Sequence, residues 1–562
     1  MYKDKPYFYP EPQRRRSRRL WIGIIVLVIV LCWYQFGPSL GNKRSAQGRQ
    51  SVGSRMWETF SFGSGTGLGG TGKKVDWRAR QAQVKMAMEI SWAGYEKYAW
   101  GYDEYHPVSK TGRMMVQPTG LGWIIVDALD TLMLMNMTTQ VAHARDWIAN
   151  TLSYDLDHDV NTFETTIRML GGFLSAHYLQ TTFPEMCPVD LGKGGEDLYI
   201  EKATDLAGRI LGGFESKSGI PYASVNLKTM KGIPAHADAG ASSLAEATSV
   251  QLEMKYLAKL TGEKAFWDKV ENVMEVVDKT GQRDGLKGIY ISPESGLITS
   301  MNIRLGSRGD SYYEYLIKQY LQTSKQEPIY LDMWEEALGG IKKHLITYSS
   351  PSNFTVLAER PNGLDKNITP KMDHLVCFMP GAIALATTGG VTVQEAKAKG
   401  AWGRKQEVDL ELAKELLKTC IGMYKVTKTG LAPEITYFNI HDPPIMWNAD
   451  EPPPKGPKEF DENEGANWRK DYNIHATDVH NLQRPETVES LFYMYRITGD
   501  EMYRQVGWEI FEAFIKHTAV EDSAGFSSIG DVTHIPPPTR DNMESFWPVR
   551  SHDFLCLKET SY

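Results

Sequence analysis

Beyond Asp76, apolar residues return at three- and four-residue intervals along most of the chain, the spacing of one helix face rather than of a strand. Val84, Met88, Trp92 and Tyr95 mark a long first helix. Residues 251–277 and 488–514 share one plan: an apolar helix, a Thr-Gly-acid turn, an aromatic, then a second amphipathic helix. Their turns are Thr261-Gly262-Glu263 and Thr498-Gly499-Asp500, and a weaker third copy starts at Leu170 and carries an insertion around Cys187 before Leu198. Helix hairpins that cannot bury their faces alone stack into a solenoid or close into a toroid. A mainly α fold follows. Short strand-like or loop stretches are expected at Gly219–Tyr222 and Gly288–Ile291, and the Pro- and acid-rich segment from Asp442 to Trp468 reads as a surface insertion.

The N-terminus follows a different pattern. An uninterrupted apolar run from Leu20 to Phe36 would span roughly 25 Å as a helix, enough for a thin bilayer. Arg14, Arg15, Arg16, Arg18 and Arg19 precede it, which predicts a cytosolic tail over 1–19 and a lumenal body. Lys43, Arg44 and Arg49 weaken that contrast without reversing it. No convincing cleavage site follows, so residues 20–36 read as a single-pass signal anchor of type II topology. Gly- and Ser-rich residues 37–75 form the expected stem, and 76–562 the body.

Composition adds limits. The 562 residues are 42% hydrophobic and 23% charged with a net charge of −7, which fits a globular protein and leaves nucleic acid out as a partner. Fifteen Trp and 27 Tyr supply surfaces for cores or for stacking on sugar rings. Sequons at Asn136, Asn353 and Asn367 agree with a lumenal body. Of the five cysteines, Cys32 lies in the apolar run and Cys556 in the C-terminal tail. Cys377 and Cys420 are then the candidates for a structural disulfide, with Cys187 free, although sequence does not fix the pairing.

Acids gather at predicted helix starts. Pro485 suits a first helical turn, and Glu486 behind it lies at the positive end of the helix dipole, with Glu489 on the same face. Glu164 and Arg168 share a face at four-residue spacing, as do Asp310 and Glu314, and Glu246 stands just before the helix at 251. Carboxylates beside Arg and Tyr are the inventory that glycoside hydrolysis needs, one to protonate the leaving oxygen and one to activate water.

The motifs FETTIRMLGG (163–172), RGDSYYEYLIKQY (308–320), MDHLVCFMPG (372–381) and RPETVESLFYMYR (484–496) resemble those of class I α-1,2-mannosidases, glycoside hydrolase family 47. The resemblance runs from about Asp76 to Phe546 and includes the anchor and stem. It implies an (αα)7 barrel, a bound Ca²⁺, high-mannose N-glycans as substrate and hydrolysis with inversion, in the endoplasmic reticulum or Golgi. By the same resemblance Glu164 matches the general acid, with Asp310 its competitor, and Glu486 matches the general base. Arg168, Glu246, Arg308, His374, Arg484, Glu489 and Phe546 match residues lining the sugar site or the water shell of the metal. Cys377 and Cys420 match the family disulfide.

After Trp547 the chain departs from the family pattern. Arg550 stands where an acid is expected, and the Thr that binds the metal has no counterpart before Tyr562, so the metal residues are not assigned. This departure predicts poor Ca²⁺ binding and little or no mannosidase activity, and it sets up the rival reading of a lectin-like relative that binds mannose glycans without cleaving them.

Overall fold

A computed structural model describes residues 75–548, apart from 193, 237, 282, 401, 450 and 452. The expected cytosolic tail, anchor, nearly all of the stem and the atypical C-terminal tail lie outside the described residues.

Helices dominate, and they pair in chain order. Helix α1 (Trp77–Ala99) starts at the cap of Asp76, whose carboxylate accepts from the amides of Arg78 and Ala79. There follow α2 (Leu129–Leu134), α3 (Thr138–Asn150), α4 (Gly171–Thr182), α5 (Leu198–Ile210), α6 (Gln251–Thr261) and α7 (Lys264–Asp278). The second half holds α8 (Asp310–Gln322), α9 (Pro328–His344), α10 (Met379–Thr388), α11 (Arg404–Lys425), α12 (Glu486–Thr498) and α13 (Glu501–Thr518). Each even-numbered helix from α2 to α12 packs on its successor, and the even-numbered helices also pack on one another in sequence. They therefore form a parallel row backed by their return helices. Helix α13 touches α1, which brings the last pair back to the first helix.

The two helix hairpins read from the sequence are present. Gly262 and Gly499, with φ of 77° and 74°, cap α6 and α12 in the left-handed conformation that glycine adopts without cost. The return helices are amphipathic: α7 buries Phe266, Val270, Val273, Met274 and Val277 as one stripe. The row helices are covered on more sides, and α10 buries Met379, Pro380, Gly381, Ala382, Ile383 and Ala384. Small residues let α10 and α12 approach closely: the Gly381 amide donates to Ser490 Oγ at 3.0 Å, and a Cβ on Gly381 would lie 2.9 Å from the Tyr493 ring.

Short antiparallel strands lead into the row. Strand β1 (Glu104–His106) pairs with β2 (Thr111–Arg113), and β3 (Asp159–Asn161) with β4 (Ser224–Asn226), which also pairs with β5 (Lys231–Ile233). Strand β6 (Ser242–Ser243) pairs with β7 (Tyr290–Ile291), β8 (Ile346–Tyr348) with β9 (Thr355–Leu357), and β10 (Lys371–Asp373) with β11 (Ile435–Phe438). The stretch Gly219–Tyr222 is not a strand; pairing begins two residues later, because its chain is spent on turns around Ser216 and Ser218. The segment from Asp442 is irregular as expected, yet it is not wholly superficial. Phe460 stacks on Phe354 at 5.8 Å, and Trp468 is buried beside them.

Cys377 and Cys420 form a disulfide with Cα atoms 5.9 Å apart, and Cys187 is free and half-buried. The bridge ties the turn before α10 to α11.

Candidate active site

The parallel row places the N-terminal ends of its helices at one edge, and the acids expected from the sequence lie at those ends. There, unpaired backbone amides and the helix dipole favour negative charge. Strand β3 runs into the helical turn Thr162–Thr165, capped by Asn161, whose side chain accepts from the Glu164 amide at 2.8 Å. The same Asn161 donates to Glu246 Oε1 at 3.1 Å, while Ser243 caps the turn bearing Glu246. One cap thus couples two neighbouring helix starts.

A π-turn over Thr166–Leu170 follows Glu164. Such one-turn insertions re-aim side chains and recur at functional sites. Arg168 Nε donates to Glu164 Oε2 at 2.8 Å, and its NH1 donates to Ser545 Oγ at 3.2 Å. Ser545 donates in turn to Asp127 Oδ2 at 2.6 Å, and Asp127 is buried at the end of the apolar helical turn Trp123–Asp127. Burial pushes the Asp127 carboxyl up, against the pull of Arg168.

Phe546 separates two cations. Arg168 lies 5.5 Å and Arg484 5.8 Å from the ring centroid, so one aromatic organises both guanidinium groups. Its neighbour Trp547 stacks on Phe514 at 3.9 Å and donates from Nε1 to Ser91 Oγ at 3.0 Å, joining α13 to α1.

Glu486 opens α12, with Pro485 at the N-cap rather than inside the first turn. Its Oε2 lies 2.9 Å from His374 Nδ1, in the short helical turn behind β10. The other imidazole nitrogen is held by Tyr424 Oη at 2.8 Å and Thr487 Oγ1 at 3.0 Å. Burial opposes the charge on Glu486, but the hydrogen bond and charge of His374, with Arg484, hold its carboxyl below the ordinary range. Arg484 is itself fixed by Glu434.

Asp310, at the start of α8, behaves oppositely. Burial comes first, and repulsion from Glu314, Asp373 and Glu486 adds to it, so its carboxyl is pushed up to about 8 despite the Ser311 amide. The backbone here is demanding. Arg308 sits at φ 74°, and a Cβ on Gly309 would lie 2.2 Å from the Arg304 carbonyl oxygen. A left-handed non-glycine residue beside a catalytic candidate is the kind of strain that cores seldom tolerate without function. The Arg308 guanidinium pairs with Asp238 and lies 5.0 Å from the Tyr290 ring. Glu489 is buried below the mouth, ion-paired with Lys318.

The residues singled out in the sequence thus gather at one edge, with Glu489 a turn deeper. Asp127, Ser545, Tyr424, Glu434 and Lys318 were missed. Asp127 carried a signal, an acid ending the apolar run Trp123-Ile124-Ile125-Val126. The others act by reaching across from distant segments, which spacing does not reveal.

Among the described residues no three His, Cys, Asp or Glu side chains converge as a metal site. Glu164, Glu434, Glu486 and Glu489 each have a protein partner in Arg168, Arg484, His374 or Lys318. Ca²⁺ takes six to eight oxygens, and the described residues do not fit it.

Residues 87–550 match the model of glycosyl hydrolase family 47. The mannosyl-oligosaccharide 1,2-alpha-mannosidase of Candida albicans is 49% identical over 489 residues, covering 86% of this chain and 80% of that protein. The endoplasmic reticulum mannosyl-oligosaccharide 1,2-alpha-mannosidase of Saccharomyces cerevisiae is 41% identical over 493 residues, 83% of this chain and 84% of that protein. Among solved structures, the alpha-1,2-mannosidase from Trichoderma reesei superposes with a TM-score of 0.72 at 25% identity, covering 86% of this chain and 94% of its own. The extent of the family match and these identities establish that the chain is a glycoside hydrolase and a member of glycosyl hydrolase family 47.

Proposed function

We propose that this enzyme removes terminal α-1,2-linked mannose from high-mannose N-glycans with inversion, Glu486 serving as general base and Asp310 as general acid. The carrying observation is their opposite electrostatics. Two nearby carboxyls pushed apart in pKa divide the acid and base roles at neutral pH. Glu486 stays ionised beside His374 and Arg484 and is suited to take a proton from water. Burial pushes the Asp310 carboxyl up to about 8, which suits it to give a proton to the departing oxygen. Glu164, the first candidate for the acid, is committed to Arg168 Nε, and we assign it to orienting the sugar and the acid's surroundings. Phe546, Arg168, Arg308, Arg484 and Glu246 supply the apolar face and polar anchors expected of a sugar site.

The same reading places the paired helices in an (αα)7 barrel. Support comes from the alternating row and from the Trp547 contacts to α13 and α1. It also places the enzyme in the endoplasmic reticulum, held by a type II anchor over 20–36, as the apolar run and the names of the relatives suggest. Ca²⁺ is expected of the family, but no step is assigned to it, because no three acidic or imidazole side chains converge as a metal site among the described residues. The lectin-like alternative is not favoured, given that both carboxylates of the proposed pair are in place.

Proton NMR of mannose as it is released tests the proposal. β-Mannose as the first product is the expected outcome; α-mannose first would mean retention and overturn the acid–base assignment.

A further inference from the structure

We propose that Lys318 is a positioning residue for the reaction, fastening the wall that carries Asp310 to the wall that carries Glu486. The inference rests on the assignment of those two carboxylates as acid and base. Asp310, Glu314 and Lys318 follow one another at four-residue spacing on one face of α8. Lys318 Nζ pairs with Glu314 Oε1 at 2.5 Å on its own helix and with Glu489 Oε1 at 2.9 Å on α12. Glu489 lies one turn below Glu486. Helices α8 and α12 both pack on α10, which lies between them, so the lysine spans two walls that are linked chiefly through a third.

Position and burial argue against a casual surface ion pair. Lys318 is 20% exposed and its partners 16% and 6%, so the pair is shielded from the screening that makes exposed bridges nearly worthless. Beside it stand Glu253, which accepts from Tyr315 Oη at 3.0 Å, and the Tyr493 ring, 5.8 Å from Nζ. Removing the ammonium would take away the cation that Glu314 and Glu489 share, and the charges around both would rearrange. That rearrangement begins one turn beneath the two reacting carboxyls. An inverting pair must hold a gap of about 6.5–9.5 Å for sugar and water, and a displacement of about 1 Å can cost on the order of 100-fold.

A filler role and a positioning role differ in what they move. A filler changes stability; a positioning residue changes kcat while leaving glycan binding, which depends on the mouth, nearly intact. The test uses the full chain with Lys318→Met and Lys318→Arg, measuring kcat and KM on a high-mannose oligosaccharide together with Tm. Lys318→Met should lower kcat roughly 100-fold with KM within about 3-fold. Lys318→Arg keeps the charge but changes reach and fork geometry. It should fold as the parent does and lose roughly 10-fold in kcat, and it serves alone where Lys318→Met does not fold. Wild-type kcat in Lys318→Arg, or a loss in either folded variant carried by KM, overturns the proposal. Release of α-mannose as the first product would overturn the acid–base reading, and the role of Lys318 would fall with it.

Discussion

Nδ1 of His374 lies 2.9 Å from Oε2 of Glu486, and that contact joins the turn before α10 to the first residue of α12. Because Tyr424 and Thr487 hold the opposite ring nitrogen, the imidazole cannot turn away without breaking both contacts. A fixed donor on one carboxylate oxygen keeps Glu486 ionised and leaves its other oxygen for a water. Glu486→Gln should therefore lower kcat about 10²–10⁴-fold, the usual worth of a general base, while glycan affinity changes little. Steady-state kinetics combined with calorimetric titration of the glycan would check this. A variant retaining more than about half of the parent kcat would remove Glu486 from the role.

The pH dependence follows from the two carboxyls. Asp310 must be protonated and Glu486 ionised. The carboxyl of Glu486 is depressed, so the acid limb should fall below the ordinary Glu range of about 4.3. The carboxyl of Asp310 is raised to about 8, so activity should fall as pH rises through that value. The kcat/KM profile of the free enzyme reads both limbs. Asp310→Asn should abolish the alkaline limb along with most of the rate; an unchanged limb near pH 8 in that variant would assign it to another group.

Much of this arrangement was legible in the sequence because it is local. Helix periodicity gave the paired helices, and acids at helix starts gave Glu164, Glu246, Asp310 and Glu486, whose side chains need only a known helix end to be placed. What stayed hidden is long-range. Ser545 reaches Asp127 across 418 residues, and Lys318 reaches Glu489 across 171. Neither distance leaves a periodic trace. The π-turn at Thr166–Leu170 was hidden for another reason: one extra residue in a helix changes side-chain direction without changing composition.

Calcium is predicted to bind weakly. Among the described residues no three carboxylates converge on one point, and oxygens of Glu434, Glu486 and Glu489 are already engaged by Arg484, His374 or Lys318. Half-saturation on the order of 10⁻⁴–10⁻³ M is expected, the range of weaker oxygen-ligand sites. Following Tm of the full chain against free Ca²⁺ gives the number, because a ligand that binds only the folded state stabilises it by mass action. Saturation at micromolar Ca²⁺ would overturn this expectation.

The Cys377–Cys420 bridge should matter to both stability and rate. It closes 43 residues between two fully buried cysteines, and the chain-entropy relation puts the constraint at ~4 kcal/mol. Unfolding entropy of ~2.1 cal/mol/K per residue converts that, for a body of this size, to a Tm lowered by roughly 4 °C in Cys377→Ala/Cys420→Ala. The bridge also sits three residues from His374, and the Cys377 carbonyl accepts from Ser490 Oγ on α12. Loosening that turn frees His374 from Glu486, so kcat should fall more than KM rises. Differential scanning fluorimetry and kinetics on the double variant check the two halves separately. Peptide mapping without reduction should recover Cys377 linked to Cys420; recovery of both as free thiols from folded protein would remove the bridge and this prediction.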